Sequence, residues 1–140
     1  MMKTWLYRVI KIFLLLFAAV IFSCEEQGTF ANCDDCGLDE PITATLEFTL
    51  NHPESTIKKV LVYEGNIEDS ILYASLSTSG TKLTLIVNIN KLYSATATYY
   101  IPGDYFRVTD SATPRARYTE NQCEEPCYYV YDKKLDLRLK

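Results

Sequence analysis

Ile42–Leu50 reads ITATLEFTL, and its period is two. Ile42, Ala44, Leu46, Phe48 and Leu50 fall on one side, and Thr43, Thr45, Glu47 and Thr49 on the other. Successive strand residues point to opposite faces, so this is a strand with one apolar face and one threonine-rich face. The same period returns at Leu83, Leu85, Val87 and Ile89, and again at Tyr93, Ala95, Ala97 and Tyr99. Between these lie Ile57–Tyr63 and Ser70–Ser77, both strand-like. They are bounded by the turn clusters Asn51-His52-Pro53-Glu54-Ser55, Glu64-Gly65-Asn66 and Ser79-Gly80. Ile101-Pro102-Gly103-Asp104 predicts a hairpin turn into a strand over Tyr105–Thr109. An edge strand is expected around Arg115-Ala116-Arg117, and further strand at Tyr128–Tyr131 and Lys133–Leu139. No segment after residue 24 holds a helical period.

About seven short strands without helices predict an all-β fold, a β-sandwich over residues 42–140. The Leu83–Ala97 stretch, ending in Tyr93-x-Ala95-x-Ala97, resembles the tyrosine corner of immunoglobulin-like and fibronectin type III domains. That resemblance implies an immunoglobulin-like sandwich in which the Tyr93 hydroxyl bonds backbone a few residues upstream. In many such sandwiches the first and last strands run side by side and parallel.

Residues 1–23 read as an address. Lys3, Arg8 and Lys11 precede an eleven-residue apolar run, Ile12–Phe22. As a helix that run rises about 16 Å, short of a hydrocarbon core of roughly 30 Å, so it reads as a secretory signal peptide. Ile21-Phe22-Ser23-Cys24 resembles a bacterial lipobox, with Phe22 bulkier than usual. The resemblance implies cleavage before Cys24, thioether lipid and an acylated (palmitate-type) amino group. More than one chain, at about 0.8 kcal/mol per buried CH₂, gives stable anchoring. Residues 24–41 follow as an acidic tether. An acidic stretch after the lipidated cysteine resembles surface-export signals of Bacteroidota lipoproteins. With its Cys-x-x-x-Cys-Tyr-Tyr segment, the chain resembles small lipoproteins of that group. This implies a lipid-anchored envelope location, at the outer membrane on its periplasmic or outer face.

Charge argues the same way. The chain has 14 basic and 18 acidic residues. The signal removes three bases and no acid, leaving 11 against 18 and a net charge of -7 on residues 24–140. Nucleic acid is excluded as an expected partner, and anionic lipid will not attract the mature chain by its charge. The expected partners are the membrane, through the lipid, and envelope proteins or glycans.

Four cysteines remain: Cys33, Cys36, Cys123 and Cys127. An even number in an exported chain predicts two disulfides. Bridges between the clusters are favoured, because each closes about 90 residues and removes about 4–5 kcal/mol of unfolded-state entropy. Bridges within each cluster stay open as alternatives. Four thiolates could also hold structural zinc. A redox role for Cys33-Asp34-Asp35-Cys36 is disfavoured by the two carboxylates, which raise thiol pKa.

Candidate chemistry is otherwise sparse. His52, the single histidine, sits in a turn, and Glu68-Asp69 and Glu124-Glu125 read as solvated charge. Asp34, Asp35, Asp39 and Glu40 fit no calcium-loop spacing. The expectation is a non-enzyme without cofactor. Tyrosines crowd the C-terminal half, and Tyr100, Tyr105, Tyr129 and Tyr131 are the candidate binding patch, since exposed tyrosines give large contact area at low entropic cost.

Overall fold

The computed structural model describes Lys11 and residues 30–51, 58–69 and 71–140. Apart from Lys11, the expected signal segment 1–23 lies outside the described residues, as do Cys24 and His52.

The alternating segments become strands β1 (Thr43–Thr49), β2 (Lys58–Glu64), β3 (Ile71–Thr78), β4 (Lys82–Asn88), β5 (Tyr93–Ile101) and β6 (Asp104–Ala112). β7 (Arg115–Thr119), β8 (Cys127–Tyr131) and β9 (Lys134–Asp136) follow. Beyond residue 30 no α-helix occurs among the described residues; Cys33–Asp35 and Ile67–Asp69 are single 3₁₀ turns.

Seven strands form two facing sheets, ordered β4-β1-β9 and β3-β2-β5-β6, and β7-β8 is a separate ribbon. Alternation decides which side chains lie between the sheets. Leu46, Phe48 and Leu50 enter from one side, joined by Val87, Leu135 and Leu137. Val60, Val62, Tyr93, Ala95, Ala97 and Tyr99 enter from the other. The expected all-β sandwich is therefore present.

β1 and β9, the first and last strands, run parallel, with Phe48 opposite Leu135. Of the two strands expected after Cys127, the first, β8, stays outside the two sheets and pairs with β7. β9 is also shorter than Lys133–Leu139. Leu137 still packs in the core although only Lys134–Asp136 keep strand pairing.

Turns sit where backbone freedom is needed. Gly103 has φ +94° after Pro102, which suits the third position of a type II turn. Gly65 has φ +90°, and its amide donates to the Leu92 carbonyl at 2.8 Å. The Ser94 hydroxyl donates back to the Gly65 carbonyl at 2.8 Å, so the end of β2 and the start of β5 hold each other.

Candidate functional site: a stapled junction and a tyrosine-bearing face

Two disulfides join the chain ends. Cys33 pairs with Cys123 and Cys36 with Cys127, each with a Cα separation of 5.6 Å, well inside the range a bridge requires. The favoured inter-cluster pairing is thus observed. Its cause is backbone contact: Gly37 and Tyr128 exchange hydrogen bonds of 2.9 and 2.7 Å, making Gly37 a one-residue extension of the β7-β8 ribbon. Lys133 adds an ionic link, 3.1 Å from Asp35 and 3.4 Å from Glu47. Burial alone would lower the lysine pKa, but the two carboxylates outweigh it and raise the value. From Cys33 onward the predicted tether is fastened to the body.

The Sγ atoms of Cys36, Cys123 and Cys127 lie within 4.8 Å of one another. That is close enough for a thiolate metal site were the bonds reduced. Paired as disulfides, the sulfurs lack the charge that makes thiolate a strong zinc ligand.

The outer face of β2, β5 and β6 carries the second feature. Registry sets Lys59 opposite Thr98 and Thr98 opposite Arg107. Two residues nearer the hairpin tip, Tyr100 lies opposite Tyr105. Both rings are exposed, 54% and 57%. The Arg107 guanidinium sits 5.4 Å from the centre of the Tyr105 ring, within cation–π range. Together with Leu61 and Tyr63 these side chains line a shallow hollow of about 420 Å³. Its charged lining residues, Lys59 and Arg107, are both positive. A cationic, aromatic surface on a chain of net negative charge is suited to a partner with acidic groups and a flat apolar or sugar face.

Tyr129 and Tyr131 do not belong to that surface. They lie on β8, beside a cleft of about 860 Å³ that also includes Asp35, Glu47 and Lys133. Tyr129 is buried at 3%, and Tyr131 is half-buried with the Arg117 guanidinium 5.1 Å from its ring centre. The four-tyrosine patch is therefore corrected to one exposed pair, Tyr100 and Tyr105. Tyr129 turns inward because it shares the face of buried Cys127 rather than that of Tyr128, whose ring meets Tyr118 at 5.0 Å.

The buried tyrosines also differ from expectation. Among the described residues the Tyr93 hydroxyl has no hydrogen-bond partner of good geometry. The Asn88 amide nearby only partly offsets burial, which pushes the phenol pKa up. Tyr99 does the pinning instead. Its hydroxyl donates to the Leu137 carbonyl and accepts the Asn51 amide at 3.1 Å, tying β5 to the ends of the opposite sheet. The inward face of β5 announces both rings in the sequence; nothing local announces the carbonyl 38 residues away.

No protein family, curated protein or solved structure matches this chain.

Proposed function

We propose that this chain is a lipid-anchored cell-envelope protein whose sandwich is a binding or assembly module at the outer-membrane surface. The address in residues 1–23 and the lipobox-like Ile21–Cys24 support the anchor. The two disulfides fit an oxidising compartment. An immunoglobulin-like arrangement is supported by the strand orders β4-β1-β9 and β3-β2-β5-β6, in which consecutive strands cross between sheets. The fixed body begins at Cys33, nine residues from Cys24, so it stands at most about 30 Å from the lipid surface.

The observation that carries the binding role is the exposed Tyr100–Tyr105 pair beside Lys59 and Arg107. Enzyme activity is the less favoured class, since neither the sequence nor the face described offers a nucleophile paired with a base. The partner is an envelope protein or glycan, with acidic groups favoured by the two cations.

The test is a pull-down of the native protein from membranes, beside a Tyr100→Ser/Tyr105→Ser variant. Loss of co-purifying protein or glycan in the variant is expected, and an unchanged set would refute this face. Intact mass of the extracted protein should show residues 1–23 removed and acyl chains added, and Cys24→Ser should release it from membranes. Stoichiometric zinc with four free thiols would favour the structural-zinc reading instead.

A further inference from the structure

The hollow on the outer face of β2, β5 and β6 runs against the charge of the chain. The sequence is net negative, yet among the described residues no acid lines that hollow. Elsewhere cations are taken: Lys91, Lys133 and Arg138 each have a carboxylate at ion-pair distance. Lys59 and Arg107 have none among the described residues, and both are exposed. Asp104, next to Tyr105 in sequence, is occupied with the Tyr105 amide at 2.7 Å. Two unpaired cations with no acid between them keep a local positive potential that an anionic ligand can neutralise.

Registry fixes how far apart the cations stand. Lys59 and Arg107 are both in register with Thr98, one on each side of it. Neighbouring strands lie about 4.8 Å apart, so the two side chains leave the sheet from positions about 10 Å apart. The Thr98 side chain lies between them, and the exposed Tyr100–Tyr105 pair flanks the row. The contact with the Tyr105 ring holds the Arg107 guanidinium in place and leaves its N–H groups free to grip a carboxylate with two bonds.

We propose that this face takes an acidic polysaccharide with a carboxylate on every second sugar, laid across the strands from β2 to β6. The inference rests on the reading of this face as the binding surface, and it names the class of occupant. The separation of the cations is that of a disaccharide repeat, so carboxylates on alternate sugars meet Lys59 and Arg107 while the sugar between them lies over Thr98. A sugar ring offers an apolar face to the tyrosine rings and hydroxyls to Thr98 and the phenols. An acidic peptide fits less well. β2 and β5 each have a hydrogen-bonded strand on both sides, so their backbone groups are taken, and a peptide main chain lying on the face would find no ladder to join. A sugar chain has no such ladder to satisfy.

The test is calorimetric titration of the full-length protein in detergent with a hyaluronan hexasaccharide, whose carboxylates fall on every second sugar. Its carboxyl-reduced form and an oligoglutamate of equal charge are the comparison ligands. The hexasaccharide is expected to bind at least tenfold more tightly than either. Lys59→Met and Arg107→Met should each weaken it at least fivefold, with both disulfides intact on a non-reducing gel. Arg107→Lys should recover only part of the loss, because lysine keeps the charge and lacks the planar fork. No binding of the hexasaccharide, equal binding of the reduced sugar or of the oligoglutamate, or indifference to both methionine variants would each overturn the proposal. If the hexasaccharide fails while Tyr100→Ser/Tyr105→Ser still strips partners in the pull-down, the face binds another class of molecule and only this inference falls. If the pull-down is unchanged as well, the binding role of the face falls with it.

Discussion

Tyr99 is the side chain on which the two sheets are latched. Replacing it with phenylalanine leaves the ring in place but strips the partner from the Leu137 carbonyl and the Asn51 amide. Leaving buried polar groups unpaired costs about 1–3 kcal/mol, so Tyr99→Phe should lower unfolding stability by about 2 kcal/mol in urea titrations. Tyr93→Phe removes a buried hydroxyl that has no well-formed bond to lose, and should fall within about 0.5 kcal/mol of wild type or above it. Equal losses from the two would refute the distinction. Alternation placed both tyrosines on the inward face of β5, and the tyrosine-corner pattern pointed to Tyr93, whose hydroxyl lies near the Asn88 backbone amide, but not to Tyr99. The Tyr99 latch depends on the Leu137 carbonyl, just past β9, a matter of tertiary approach that no local pattern encodes. The same burial raises both phenol pKa values above 10.0. A group whose folded pKa exceeds its unfolded one contributes stability in full below the unfolded value and loses it as pH rises through the folded value. Stability should therefore hold up to about pH 10 and fall beyond it. In absorbance titration Tyr93 and Tyr99 should ionise only together with unfolding. Ionisation of Tyr93 and Tyr99 with the fold intact would contradict their burial.

Strands β1, β4 and β5 were readable in the sequence almost residue for residue, because each has one apolar face and the core demands a period of two. β6 was not: Thr109 was its expected end, yet pairing continues to Ala112, with Asp110 opposite Ala95 and Ser111 opposite Ser94. Its polar end persists because Asp110 accepts the β9 amide, a long-range bond that compensates for the missing apolar signal. Gly37 was equally opaque, since it pairs with Tyr128 across 91 residues as an isolated bridge, with no strand pattern of its own to announce it. The hairpin between β5 and β6, in contrast, was announced by Pro102-Gly103 and can be tested as a purely backbone effect. A Cβ at Gly103 would meet nothing within 4 Å, so only φ +94° opposes it. Gly103→Ala should cost about 1 kcal/mol through left-handed strain, and Gly103→Asn less, since asparagine tolerates that region better. If alanine is neutral by thermal unfolding, the turn geometry is not the one described.

The molecule as a whole is closed by bonds that act through the unfolded chain. Cys33–Cys123 and Cys36–Cys127 have sequence separations of 90 and 91. Either bridge alone closes the long loop, worth about 4–5 kcal/mol in the chain-entropy model. Once one is made, the second closes only a ring of fewer than ten residues through Cys33–Cys36 and Cys123–Cys127, worth about 2–3 kcal/mol in the same model. The two bridges are therefore predicted to be redundant rather than additive. Removing either pair, as Cys33→Ser/Cys123→Ser or Cys36→Ser/Cys127→Ser, should cost about 2–3 kcal/mol by denaturant titration under non-reducing conditions. Removing both should cost about 7 kcal/mol, comparable to the whole stability of a domain this size, and leave the sandwich largely unfolded. Independent bridges would give two large, equal losses whose total matches the quadruple variant. A quadruple variant that stays folded would mean that the sheets carry the molecule unaided. The fastening of Gly37 to Tyr128 and of Asp35 to Lys133 should loosen in that same variant, and faster hydrogen exchange at the Gly37 and Tyr128 amides would report it. With one bridge left, those amides should stay protected, because a single link already holds the junction against β8.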